Sequence, residues 1–328
     1  MNRRTLLLTL VAALLAAMLS APALAQPWPA PGKTIEMIVP APGGAGTGDT
    51  IARIVAEQLA IRLKTPVIVS NKGGANGNIG AAAAATSAPD GYHLLFSWAG
   101  TLAVNPALYK KLSFDPRRDF EPISLIADVP NIIVVSNEMP AKDVTQLVAY
   151  ARANPEKVHF GSTGNGSSMH LAGELFMRES GVKMVHVPYS APGTATANLM
   201  ANDIQLMFQL VPGIVGQVKG GKVRALAVMS TQRSSALPDV PTTVELGFAA
   251  LQSSTWFALL APKGTPAAIL DRLNAEVNEI LAMPDVRKRL ADLGAMPTGG
   301  SRDALRDLLA AETTKWARVV GEAKITLE

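Results

Sequence analysis

The sequence predicts an α/β protein. Strand-like and helix-like stretches alternate along almost the whole chain, with short connections between them. Hydrophobic residues make up 48% of its 328 residues, ample for a core, and charged residues only 17%. Two glycine-rich segments each follow a strand-like stretch and precede a helix-like one: Pro40 to Asp49, and Phe160 to His170. No clear linker or internal repeat divides the chain. This pattern suits a chain that crosses between two lobes more than once.

The first 25 residues read as an export signal. Arg3 and Arg4 form a basic start, Thr5 to Ser20 an apolar run, and Ala23-Leu24-Ala25 a cleavage site. Cleavage after Ala25 leaves a mature chain expected free in the periplasm, and either a general or a twin-arginine exporter suits the paired arginines. Without Arg3 and Arg4 the formal charge falls from +4 to +2, too small and too scattered for a nucleic-acid partner. Cysteine is absent, which removes disulfides, thiolate catalysis and a lipidated cysteine.

Strands are expected at Thr34–Val39, Pro66–Ser70, Tyr92–Phe96, Ile123–Ala127, Asn131–Ser136, Lys157–Phe160, Met184–Val187, Ile204–Phe208, Val223–Met229 and Thr255–Leu260. Asp49 is expected to cap a helix whose face carries Ile51, Ile54, Val55, Leu59 and Leu63. Asp143 and Gln146 form a capping box for a helix to Ala153. The last quarter reads as helices Pro266–Ala282, Pro284–Leu293 and Arg302 to about Ala323.

The loop Phe160-Gly161-Ser162-Thr163-Gly164-Asn165-Gly166-Ser167-Ser168-Met169-His170 carries the strongest functional signal. Glycine lets backbone N–H groups turn outward, and hydroxyls add short donors. A helix starting behind such a loop presents unpaired N–H groups and partial positive charge, an arrangement that holds anions. No Lys or Arg lies between Lys157 and Arg178, so dipoles and hydroxyls must do the holding. The Pro40–Asp49 loop repeats the design, with Ala41, Gly43, Gly44 and Thr47 as candidates. Asp49 itself is read as a cap and given no ligand contact. Trp98, Thr101 and Tyr189 follow strands and could wall a cleft, although each suits a core or rim equally well. Gln209 puts a polar group where a strand ends. His170 could touch a ligand or simply tie down its loop.

Other motifs fall away. Gly74 to Gly80 lacks the G-x-G-x-x-G spacing of a dinucleotide loop. Gly216 to Lys222 has Val223 where a phosphate loop needs Ser or Thr, and reads as a helix end and turn. The four histidines show no metal-ligand spacing, so neither metal nor cofactor is expected. A hydrolase built on Ser167 or Ser168 with His170 is an alternative, but the G-x-S-x-G elbow is absent and the residues sit too close together for a triad.

At these motifs the chain resembles the Bug family, periplasmic solute receptors of tripartite tricarboxylate transporters. The likeness runs through Pro42-Gly43-Gly44 with Ile51-Ala52-Arg53, Gly77-Asn78-Ile79-Gly80, Ala88-Pro89-Asp90-Gly91-Tyr92 and Asn105-Pro106-Ala107-Leu108-Tyr109. It continues through Gly164-Asn165-Gly166-Ser167-Ser168 with His170-Leu171-Ala172, His186-Val187-Pro188-Tyr189, Leu237-Pro238-Asp239-Val240-Pro241-Thr242, and Trp256-Phe257 with Leu260-Ala261-Pro262. The resemblance implies a type II periplasmic-binding fold, a Venus flytrap of two α/β lobes joined by hinge strands. Lobe 1 is expected to comprise residues 26–127 plus 248–328, and lobe 2 residues 128–247. It implies a monomeric, non-enzymatic receptor for a small carboxylate, serving membrane transporter subunits or, alternatively, a sensor kinase. The family's contacts map onto the backbone of Ala41, Gly43 and Gly44, onto Ser162 and Thr163, and onto Gly166, Ser167 and Ser168. Three departures matter. Four residues, Ala45 to Gly48, separate Pro42-Gly43-Gly44 from Asp49 where the family usually has fewer. Gln209 replaces a usual acidic residue, and Ser190-Ala191-Pro192-Gly193 replaces a basic residue and glycine after Tyr189. The expected ligand is therefore a dicarboxylate or an aromatic carboxylate rather than an amino acid.

Overall fold

A computed structural model describes residues 28–44 and 46–323. The export signal expected at residues 1–25 lies outside the described residues. Among the described residues ten strands and ten α-helices follow one another in this order: β1 (Ile35–Val39), α1 (Thr47–Leu63), β2 (Val67–Asn71), α2 (Asn78–Ala85), β3 (His93–Trp98), α3 (Asn105–Leu108), β4 (Phe120–Val135), α4 (Val144–Ala153), β5 (His159–Ser162), α5 (Ser168–Ser180), β6 (Val185–Pro188), α6 (Pro192–Met200), β7 (Leu206–Leu210), α7 (Val215–Lys219), β8 (Arg224–Val228), β9 (Ser254–Pro262), α8 (Ala267–Ala282), α9 (Pro284–Leu293), β10 (Met296–Pro297) and α10 (Arg302–Ala323). A π-helical turn, Gly100–Val104, precedes α3.

The strands form two sheets that share one member. In the first, β2, β1 and β3 run parallel, and β9 and β4 follow antiparallel. In the second, β4 pairs antiparallel with β7 and β8, while β7, β5 and β6 run parallel. Residues Phe120 to Pro130 of β4 pair with β9, and Asn131 to Val135 pair with β7.

Both sheets are buried on both faces, because alternate side chains leave a strand on opposite sides. On the first sheet Met37, Phe96 and Leu259 pack under α1, α8 and α9, while Ile38, Leu95 and Leu260 pack under α2 and α10. On the second, Ile133 and Phe208 pack with α4 and α5, and Ile132 and Met207 with α6. This explains the near-continuous apolar runs in the strands.

The sequence reading separates Ile123–Ala127 from Asn131–Ser136, but the structure joins them in the single 16-residue β4. Pro130 lies inside the joined strand. It pairs with Ser254, the first residue of β9, where a ladder ends and a missing N–H costs little. The start of α1 also differs. The helix begins at Thr47 after Gly46, so Asp49 sits inside the first turn instead of capping it. From there its carboxylate reaches back to the N–H of Gly44, 3.2 Å away. Asp143 does cap α4, accepting from the Gln146 N–H at 2.7 Å, while Gln146 Oε1 accepts from the Lys142 N–H. Helix α6 has no counterpart in the sequence reading; Gly193, Thr194 and Thr196 weaken its propensity, and its burial of Ala195 and Leu199 decides it.

The fit of α5 against β5 is tight. A Cβ on Gly173 would lie 2.2 Å from the Phe160 ring. Gly173→Val is expected to destabilise the fold by roughly 2 kcal/mol through overpacking, read as a lower urea midpoint with an unchanged slope.

Candidate functional site

A cleft of about 410 Å³ opens where the two sheets meet. Strands β1, β2, β5 and β6 all point their carboxyl ends at it, the usual ligand position in parallel α/β sheets. Each is followed by a loop and a helix, and the helices start at or beside the cleft wall. α1 starts at Thr47, α5 at Ser168, α6 at Pro192, and α2 directly after Gly77. In α5 the first turn bonds Leu171 N–H to Ser167 O and His170 N–H to Ser167 Oγ. The earlier N–H groups, at Ser168 and Met169, have no helical acceptor and sit on the wall. The helix starts thus bring partial positive charge to a cavity whose lining contains no Lys or Arg among the described residues.

Among the described residues the one charged side chain on the wall is Asp49, and it is saturated. Its carboxylate accepts from Arg53 Nε (2.9 Å) and Nη2 (3.0 Å), from Asn71 Nδ2 (2.8 Å) and from the Gly44 N–H. Burial raises its pKa, but these hydrogen bonds from Arg53, Asn71 and Gly44 together hold it below the usual carboxylate range. Aromatic groups form the apolar wall. Trp98 tilts against Phe257 at 6.1 Å between centroids, and Tyr109 and Tyr189 complete it. Burial raises the Tyr109 phenol above its ordinary value.

Of the sequence candidates, Ala41, Thr47, Trp98, Thr163, Ser167, Ser168, Tyr189 and Gln209 line the cleft. The others stand behind it. Gly43 packs on Asn71, where a Cβ would come within 2.9 Å of Oδ1. Gly44, at φ +86°, spends its N–H on Asp49. Thr101 is fully buried and donates to Asn76 O at 3.0 Å. Gly166 lines a second cavity of about 810 Å³, which shares Ser168 and Thr255 with the cleft. At φ +77°, and with a Cβ position 2.2 Å from Leu108, Gly166 admits no side chain.

Ser162 and His170 hold the loop together. Ser162 Oγ lies 2.6 Å from His186 Nε2 and accepts from the Gly164 N–H at 3.0 Å. His170 Nδ1 accepts from the Gly166 N–H at 3.1 Å, and its ring stacks on His186 at 4.1 Å. Ser162 is 0% exposed, so this Ser–His contact offers no nucleophile to a substrate. Ser167 is likewise occupied, donating to Gly164 O at 2.7 Å and capping α5. Among the described residues no cluster of His, Asp and Glu could hold a metal, and no helix is long and apolar enough to cross a membrane.

The sequence reading missed a third wall, Gly74 to Gly77. Ala75 and Asn76 have φ of 47° and 50°, rare for residues with a side chain. Asn105, fully buried, holds that turn: its Nδ2 donates to Asn76 O (3.0 Å) and its Oδ1 accepts from Asn76 Nδ2 (2.8 Å). The sequence signal for this wall is its run of Gly and Asn, whose spacing does not match a nucleotide loop. Thr255 and Phe257 were missed because a strand interior gives no local sign of facing a ligand.

His186 makes the site sensitive to acid. Burial and the neighbouring His170 push its pKa down from 6.5 to about 4. The unfolded chain therefore takes up this proton first as pH falls. The associated stability is full above 6.5 and is lost as pH drops toward 4. The expected loss is on the order of 1–2 kcal/mol, discounted for partial exposure. His186→Phe should flatten this part of the stability–pH curve in urea melts.

Comparison with known proteins gives the site its context. Residues 51–325 match the tripartite tricarboxylate transporter family receptor, TctC. The chain is 36% identical to the protein BugT of Bordetella pertussis over 329 residues, covering 100% of both. The periplasmic binding protein BugD has a similar structure, with a TM-score of 0.84 at 33% identity, covering 91% of this chain and 100% of that one. So has the R. palustris protein Rpa4515, solved with adipate, with a TM-score of 0.87 at 32% identity and 92% and 100% coverage. The match over most of the length, the shared two-lobe α/β fold and the relatives' likeness from end to end have one meaning: this chain belongs to the tripartite tricarboxylate transporter receptor family.

Proposed function

We propose that the protein is a periplasmic receptor that captures a small carboxylate in the cleft and delivers it to the membrane subunits of a tripartite tricarboxylate-type transporter. The observation that carries this reading is the cleft wall: helix starts and hydroxyls surround it, and among the described residues no Lys or Arg lines it. The adipate in Rpa4515 supports the ligand class. The lobes, taken as residues 26–127 plus 248–328 and residues 128–247, close about β4 and β9. A ligand that touches both favours the closed state, because some of its contacts exist only there. No chemical step is assigned. The protein acts as a monomer that binds and releases.

Thr47 and Ser168 open their helices on opposite sides of the cleft, and both residues line it. Ala41 and Thr163 flank them, with Trp98 and Tyr189 enclosing the carbon skeleton.

A thermal-shift screen of mono-, di-, tri- and aromatic carboxylates is expected to raise the melting temperature for a restricted set, since a ligand selective for the native state stabilises it. No shift with any carboxylate would refute the reading. For a binder, Thr47→Val and Ser168→Ala should each weaken affinity about tenfold, the value of one hydrogen bond to a charged group. Binding held by dipoles in a shielded cleft should also vary little, about threefold or less, when sodium chloride rises from about 0.05 to 0.5 M. A steep salt dependence in calorimetry would point to a cation that the cleft lacks.

A further inference from the structure

Gly166 belongs to the loop before α5, yet its backbone rests on residues far away in the chain. A Cβ on Gly166 would run into Leu108 Cδ1, with Asn76 Nδ2 and Asn105 Oδ1 at ordinary contact, 3.5 and 3.7 Å away. The Gly166 carbonyl oxygen lies 3.6 Å from where a Cβ on Gly100 would stand. On the lobe division proposed above, Gly166 is in lobe 2 and all four neighbours are in lobe 1.

The lobe 1 side of this contact is firmly built. Leu108, the last residue of α3, is 2% exposed and packs with Val104 and Val320. The same small cluster takes in Leu171 of α5, so apolar side chains of both lobes meet there. Asn105 is fully buried, and its amide is engaged at both ends by Asn76 and Asn78. On the lobe 2 side, His170 Nδ1 holds the Gly166 N–H. Neither Leu108 nor Asn105 lines the cleft. Ser167 does, while Gly166 lines the second cavity, so the loop stands between the two. The opposite rim is looser: a Cβ on Gly46 would stand 3.4 Å from Pro192, an ordinary contact.

We infer that Leu108, flanked by the Asn76–Asn105 pair, is the seat onto which the α5 loop closes, so that Leu108 positions the binding loop without touching the ligand. This deepens the receptor reading above and rests on it. Closing sets Gly166 on Leu108 and brings Leu171 into the apolar cluster; opening withdraws both. Any Cβ at position 166 would strike the Leu108 methyl before the loop reached its place. Close-packed groups yield little, so the obstruction holds the lobes apart. It penalises the closed, ligand-holding state and leaves the open state alone. Affinity therefore falls while the stability of the free protein does not.

The test uses the mature chain with adipate or, should adipate give no thermal shift, with the carboxylate of the screen that shifts most. In calorimetry Gly166→Ala should bind about tenfold more weakly than the wild type, because overpacking burdens only the closed state. Leu108→Val removes the obstructing methyl. It should bring Gly166→Ala back to within about threefold of Leu108→Val alone, a coupling that a double-mutant cycle reads. Without ligand, Gly166→Ala should melt no lower than Gly181→Ala, a reference for left-handed backbone strain at φ +66° with open space around it. X-ray scattering at ligand concentrations that saturate the wild type should show a compact wild type and an expanded Gly166→Ala. The seat is refuted if Gly166→Ala binds or compacts as the wild type does, or if Leu108→Val fails to restore it. It is also refuted if ligand-free Gly166→Ala melts well below Gly181→Ala, which would make the contact a permanent part of the core. Failure of every carboxylate in the screen would instead sink the receptor reading, and the seat with it.

Discussion

The rest of the structure depends on the backbone pairing of β4. One 16-residue strand gives its first part to β9 and its second to β7 and β8. Each half is buried in a different core, with Ile126 and Val129 in one and Ile133 and Val135 in the other. Unpaired backbone groups in such surroundings would be expensive, so both sheets are tied to a common axis. The handover at Pro130 and Asn131 is a place where the ladder changes partners: Asn131 N–H donates to Ser253 O, and its side chain donates to Phe208 O at 2.8 Å. The Met229 N–H donates to the Asn131 carbonyl at 2.8 Å and Ser253 Oγ to its Oδ1 at 2.9 Å, so this residue ties the sheets together where they join.

That axis decides the electrostatics of the cleft. Because the parallel strands of both sheets end on it, their following helices begin there, and the helix starts supply donors that no single lobe could assemble. Each helix terminus is worth roughly 0.3–1 kcal/mol to a nearby anion at the surface, and up to about 2 kcal/mol when partly buried. Several together can rival a cation without the cost of burying one. The network of Asp49, Arg53 and Asn71 fits this scheme: among the described residues the one carboxylate on the wall is paired by its neighbours on α1 and β2.

Much of this was legible in the chain. The apolar face Ile51, Ile54, Val55, Leu59 and Leu63 marks α1, and every expected strand has an observed counterpart within a few residues. The loops before α1 and α5 announce themselves through glycines and hydroxyls, and Thr47, Thr163, Ser167 and Ser168 do reach the cleft. Side-chain roles were less legible. Ser162 and His170 look like ligand contacts in sequence, yet His186, 16 positions beyond His170, draws them into a structural cluster. Asn76 and Asn105 form another pair across 29 residues that no local pattern reveals.

The sequence by itself determined the alternation of elements, the two anion-friendly loops and the lack of cations near them, because period, glycine content and charge are local properties. Tertiary structure alone decided that the Gly74–Gly77 turn and the start of α6 join those loops, and that Pro130 sits within a continuous strand. It also decided that Gln209 and Thr255 both line the cleft. These outcomes depend on which strands pair across distances of tens to more than a hundred residues, and pairing partners are set by the burial of whole sheets rather than by any window of the chain.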